Sequence, residues 1–131
     1  LISIAAQTLT LGMLFATLSS MQGIFEVRFD RAETFPYWFA LIALGSGAAS
    51  AVNAKVVMRL GMRRVVNATY LAMFALTVVI LAANLSGALP EPLVFALHVV
   101  WTMALFSTLS LTMGNLNALA MEPLGYIAVV A

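Results

Sequence analysis

Four long stretches without a charged side chain decide what this sequence can fold into. Leu1 to Phe25 carries none over 25 residues, Tyr37 to Ala54 none over 18, Val65 to Ser86 none over 22, and Leu93 to Met121 none over 29 apart from His98. A helix rises about 1.5 Å per residue, so runs of this length cross the roughly 30 Å of hydrocarbon in a bilayer. The reading is an all-α membrane protein, a polytopic transmembrane helix bundle forming one domain. Its helices are expected at about 1–25, 37–57, 65–86 and 93–121. A further apolar block after Glu122 and Pro123 reads as the start of a fifth helix at 124–131.

Composition agrees. Charged residues make up 8% of the chain and hydrophobic ones 63%, against roughly 25% charged in an ordinary soluble domain. The net charge of +1 gives no reason to expect a nucleic-acid partner, and the absence of Cys excludes disulfides and thiolate chemistry. Leu1 is no initiator and no basic segment precedes the first apolar block, so the sequence reads as a fragment of a longer chain.

The gaps Glu26 to Pro36, Lys55 to Arg64 and Gly87 to Pro92 suit tight hairpins between antiparallel helices. The second holds four cations, Lys55, Arg59, Arg63 and Arg64, and no anion; the first offsets Arg28 and Arg31 with Glu26, Asp30 and Glu33; the third holds no cation. Lys and Arg collect on the cytoplasmic side, which places the second gap there. Tyr37 and Trp38 then suit an aromatic belt at the outer interface.

Polar residues inside the apolar runs form stripes. On the fourth helix His98, Trp101, Thr102, Thr108, Thr112 and Asn115 share one broad face, and Met103, Ser107, Ser110, Gly114 and Asn117 roughly the opposite one. The first helix repeats this, with Ser3, Gln7, Thr10, Thr17 and Met21 on one side and Thr8, Gly12, Ser19 and Gly23 on another. Two polar stripes cannot both face lipid. The Ser/Gly stripe suits close helix contact and the other a cavity wall, which makes Gln7, Thr10, Thr17, His98, Trp101, Thr108, Thr112 and Asn115 candidates for a substrate cavity. The small residues Gly45 to Ala51 suit close packing of the second helix, and the uniformly apolar Tyr70 to Leu85 suits a peripheral, lipid-facing third.

Two motifs carry a resemblance. Arg59-Leu60-Gly61-Met62-Arg63-Arg64 is similar to the R-x-G-x-R-R core of the loop between the second and third helices of each half of major facilitator superfamily transporters. Met58 and Ala54 depart from the N-terminal form of that motif, as the C-terminal form does. Ala120-Met121-Glu122-Pro123, with Gly125 and Ala128, resembles the A-[ML]-E-P-x-G-x-x-A segment after the tenth helix in the Bcr/CflA-type multidrug efflux branch.

The resemblance implies helices seven to ten and the start of eleven, part of the C-terminal six-helix half of a major facilitator fold. It implies a cytoplasmic latch made by Lys55, Arg59, Gly61, Arg63 and Arg64, a helix-end motif of Glu122, Pro123 and Gly125, and a central cavity bordered by the first and fourth helices. The implied function is proton-coupled efflux of a small amphipathic substrate by alternating access. The setting would be multi-pass, in a bacterial cytoplasmic (inner) membrane, with lipid, protons, the N-terminal half and the remaining C-terminal helices as partners, and with no cofactor or metal.

Plainer readings stand beside these. The basic loop serves topology alone or a latch as well. His98, about five residues into its helix, is a solvated or hydrogen-bonded imidazole or a substrate or proton group. Glu122 reads as a helix-end contact rather than a proton carrier, and Asn115 and Asn117 as interhelical bonds. An enzyme is not expected: Ser46 with His98 poorly resembles the rhomboid protease dyad, since Leu44 stands where its motif needs Gly. The competing class is a small structural or assembly membrane protein whose four helices only pack. That class buries its polar stripes against protein, whereas a transporter fragment leaves the His98/Trp101/Thr112 and Gln7/Thr10/Thr17 faces open.

Overall fold

The computed structural model describes the backbone of residues 2–130, and their side chains except Ala54 and 123–130. Helix α1 spans Ile2–Gly23 and continues as a π-helical turn over Ile24–Arg28; α2 spans Phe35–Leu60, α3 Met62–Leu85 and α4 Glu91–Val130. Four helical segments are long and apolar enough to cross a membrane, Ile2–Arg28, Phe35–Leu60, Met62–Leu85 and Glu91–Glu122. The up-and-down order leaves two ends. One holds the α1–α2 and α3–α4 connections, here the Asp30 end; the other holds the α2–α3 turn at Gly61.

The helix boundaries follow from local chemistry. Pro36 sits in the first turn of α2, where a missing N–H removes no helical bond. Asp30 takes a left-handed φ of 52°, tolerated by a short polar side chain, and the Arg31 N–H reaches back to the Phe25 carbonyl at 2.8 Å. Glu91 lies in the first turn of α4, where an anion favours the helix dipole.

Two expectations are corrected. Lys55 to Arg64 is not a loop: α2 and α3 are joined by Gly61 alone, so Lys55 and Arg59 ride on the end of α2 while Arg63 and Arg64 start α3. Lys and Arg are good helix formers and hold the helix to within a residue of the turn. The block at 124–131 does not begin a separate helix over the described backbone, because α4 runs on to Val130. A lone proline removes one backbone hydrogen bond without by itself reversing the chain, and the helix continues through Glu122 and Gly125 on either side of it.

Helix α4 is the axis of the bundle and packs against each of the other three. It carries Phe95, Val99, Leu105 and Leu116 into the interior. A cluster at the Asp30 end joins Met21, Phe25 and Phe29 to Ile42, Phe95 and Val99. Phe25 meets Phe35 at 5.3 Å and Phe95 at 5.4 Å between centroids, and Trp38 meets Phe95 at 4.9 Å, all edge to face. Such ring pairs contribute about 0.5–1.5 kcal/mol each beyond area burial, which matters where lipid tails compete equally for apolar contact.

The third helix is not the least covered one. It buries Val65, Val66, Met73 and Ile80, whereas α1 buries only Thr10 and Met21. Uniform apolarity hides which face of α3 docks, and Leu71, Phe74, Val79 and Leu81 remain exposed on the other.

Candidate functional site

At the Gly61 end the turn is tight for a reason visible in the backbone. Gly61 has φ 80° and ψ 151°, a region essentially reserved for glycine. Its N–H closes α2 on the Val57 carbonyl at 2.9 Å and its own carbonyl accepts from Val65 at 3.2 Å. The turn swings Arg63 toward α4, where its Nη2 donates to Glu122 Oε2 at 3.3 Å. This is the one ion pair among the described residues. The surroundings of Pro123 and Gly125 lie outside the described residues. A cavity of about 250 Å³ lies beside the pair, lined by Leu60, Gly61, Met62, Arg63, Arg64, Leu119 and Glu122. Lys55 and Arg59 are exposed.

The expected cavity wall is divided. Thr10, Thr108, Thr112 and Asn115 are buried within the chain, together with Thr102. Their polar groups are satisfied internally: Thr108 donates to the Ala104 carbonyl at 2.9 Å, Thr112 to Thr108 at 2.7 Å, and Thr10 to Ala6 at 2.7 Å while meeting the Tyr70 hydroxyl at 2.6 Å. Asn115 donates to Asn53 Oδ1 of α2 at 3.1 Å and to the Leu111 carbonyl at 2.7 Å, which clamps α2 to α4. The opposite stripe, expected to pack, is the more open: Ser107 and Ser110 are half-buried and Gly114 and Asn117 exposed. Asn117 accepts from Gln7 Nε2 at 2.9 Å, joining α1 to α4. Thr17 stays half-exposed.

His98 and Trp101 belong to a different arrangement, at the Asp30 end. A cavity of about 290 Å³ opens there between the tail of α1, the C-terminal half of α3 and the start of α4, lined by Arg28, Phe29, Thr77, Ile80, Leu81, Asn84, Val94, His98 and Trp101. The His98 and Trp101 rings stack at 6.3 Å. Trp101 Nε1 donates to Thr77 Oγ1 at 3.0 Å, and Thr77 passes its own proton to the Met73 carbonyl at 2.8 Å, so this chain of donors is complete. His98 Nε2 and Asn84 Oδ1 are both buried and have no hydrogen-bond partner in the protein. Native interiors rarely leave such atoms unmatched, so two in one cavity single it out as able to hold a polar group.

Sequence reasoning passed over Arg28, Thr77 and Asn84. Asn84 carries a signal, being the one amide near the C-terminal end of an apolar helix; Arg28 reads in the sequence only as a topology charge. Ser46 is buried and its hydroxyl donates to the Ala43 carbonyl at 3.0 Å. Among the described residues no three His, Asp or Glu side chains cluster as a metal site.

Comparison of the chain with protein-family models, with curated proteins and with solved structures gives no match.

Proposed function

We propose that this chain is part of a secondary active transporter of the major facilitator type, exporting a small amphipathic compound against proton entry by alternating access. One observation carries the reading. The two segments that resemble that superfamily, Arg59–Arg64 and the stretch entered at Ala120, are 59 residues apart at Arg63 and Glu122, yet the Gly61 turn brings them into an ion pair. A contact between the basic turn and a neighbouring helix is what a latch needs. The pair is exposed and so can break and re-form as helices rock against a partner half. Gln7, Thr17, His98 and Trp101 are the candidate substrate-facing residues that the chain does not bury.

A second reading is favoured by a specific observation. Burial of Thr102, Thr108, Thr112 and Asn115 inside the chain is what a packing-only membrane protein would show. Accumulation of ethidium and of a panel of other amphipathic dyes, in cells expressing the protein in its natural reading frame, separates the two. Lower accumulation than in vector controls, abolished by a protonophore, supports transport. Equal accumulation at verified membrane levels across the panel overturns it in favour of the packing role.

A further inference from the structure

The cavity at the Asp30 end carries an inference that does not rest on the transport reading, because the residues that line it all belong to this chain. We propose that it binds an amphiphile with a phosphate head group, the head held by Arg28, His98 and Asn84 and the apolar body lying along Ile80, Leu81 and Trp101.

The chemistry follows from what the lining lacks. His98 Nε2 and Asn84 Oδ1 are buried without partners, and an unmatched buried acceptor requires a donor that the protein does not provide. Arg28 lines the same space and is in no ion pair among the described residues. The acids of this end, Glu26, Asp30, Glu33 and Glu91, line the adjoining surface cleft with Arg28, and none of them lines this cavity. The one formal charge in the cavity's own lining is therefore that of Arg28, and a guanidinium suits the oxygens of a phosphate or carboxylate.

Asn84 favours the first of those two. A carboxylate only accepts, so with the amide oxygen placed as it is here it supplies no donor to Asn84 Oδ1. A singly protonated phosphate monoester holds both roles in one group, donating one proton to Asn84 while its remaining oxygens accept from Arg28 and from an Nε2–H of His98. The volume of about 290 Å³ is many times what one water needs. Apart from the Thr77 hydroxyl, which is paired within the protein, the remaining lining is hydrocarbon and indole, with Leu81 half-exposed at the rim, which suits an acyl or aryl body.

The phosphate can come from a membrane lipid or from a soluble ester, and the test has an arm for each. Trp38→Phe leaves Trp101, on the cavity wall, as the only tryptophan of the two. In phosphatidylcholine nanodiscs, dodecyl phosphate should change Trp101 emission saturably, and dodecanol should not. Arg28→Gln should weaken the response about tenfold or more, since a hydrogen bond to a charged group is at stake, while Arg28→Lys retains most of it. Asn84→Leu should weaken it without altering the helical circular dichroism. Saturation by phenyl phosphate from the aqueous side as well identifies a soluble ester, and its absence a lipid. No saturable response, an equal response to dodecanol, or an affinity unchanged by Arg28→Gln overturns the proposal.

Discussion

The hydroxyl oxygens of Thr10 and Tyr70 lie 2.6 Å apart, and this contact ties α1 to α3. Thr10 gives its own proton to the Ala6 carbonyl, so the phenol of Tyr70 is the donor. Interhelical bonds of this kind in membranes contribute about 0.6 kcal/mol, rarely more than about 1.7. Tyr70→Phe should therefore lower unfolding free energy in detergent by about 0.5–1 kcal/mol, and Thr10→Val by a similar amount. A double-mutant cycle by denaturant titration checks it: coupling near zero would show that the two hydroxyls do not bond.

Gly45 and Gly47 lie two residues apart on α2 and should respond in opposite directions to alanine. A Cβ at Gly45 would stand 2.5 Å from Met103 Sδ and 2.8 Å from its Cε, whereas one at Gly47 would meet nothing within 4 Å. Met103 is flexible and can give way, so Gly45→Ala should cost about 1 kcal/mol and a bulkier Gly45→Leu about 1–3 kcal/mol. Gly47→Ala should stabilise by up to about 1 kcal/mol through helix propensity. Thermal melts of the three variants test this, and Met103→Ala should relieve Gly45→Ala.

The helices were legible because nothing but a helix hides its backbone over 18 or more uncharged residues. The packing direction of α4 was not, and Thr108 and Thr112 show why. Each hydroxyl returns to the carbonyl one turn back, so a threonine stripe is polar in composition yet dry in practice, and it marks a protein contact as readily as a wetted wall. The Asp30-end cavity was illegible for a different reason. Arg28, Asn84 and His98 come from three helices, and no spacing in the sequence announces that they share one space. Glu122 is legible only in part: its place before Pro123 suggests a loop or helix-end contact, and Arg63 supplies a partner, but α4 continues past it to Val130.

Gly61→Ala should destabilise the protein by about 1–3 kcal/mol, the usual cost of forcing a Cβ into that backbone region. Nothing lies within 4 Å of where the Cβ would go, so the cost is backbone strain and not a clash. It follows that Gly61→Ala and Gly61→Ser should be nearly equal, while a steric origin would make the larger residue worse. Unfolding in detergent distinguishes them, and wild-type stability of both variants would mean that the turn relaxes to another conformation.

The Arg63–Glu122 pair should be worth little to stability and unequal between its partners. Their side chains are 78% and 58% exposed, and pairs of that kind contribute about 0–1 kcal/mol. Arg63 is also the second residue of α3, where the helix dipole disfavours a cation. Removing it with Arg63→Ala takes away an attraction and a repulsion together, so stability should change by less than about 0.5 kcal/mol. Glu122→Gln removes only the attraction and leaves the cation at the helix start, so it should be the more damaging, and high salt should erase the difference. Parallel unfolding measurements at low and high salt decide it. The transport reading adds a separate expectation: efflux falls in both variants and recovers in part when Arg63→Glu is combined with Glu122→Arg. Efflux unchanged in both single variants at equal expression would leave the pair as a surface contact and remove the latch.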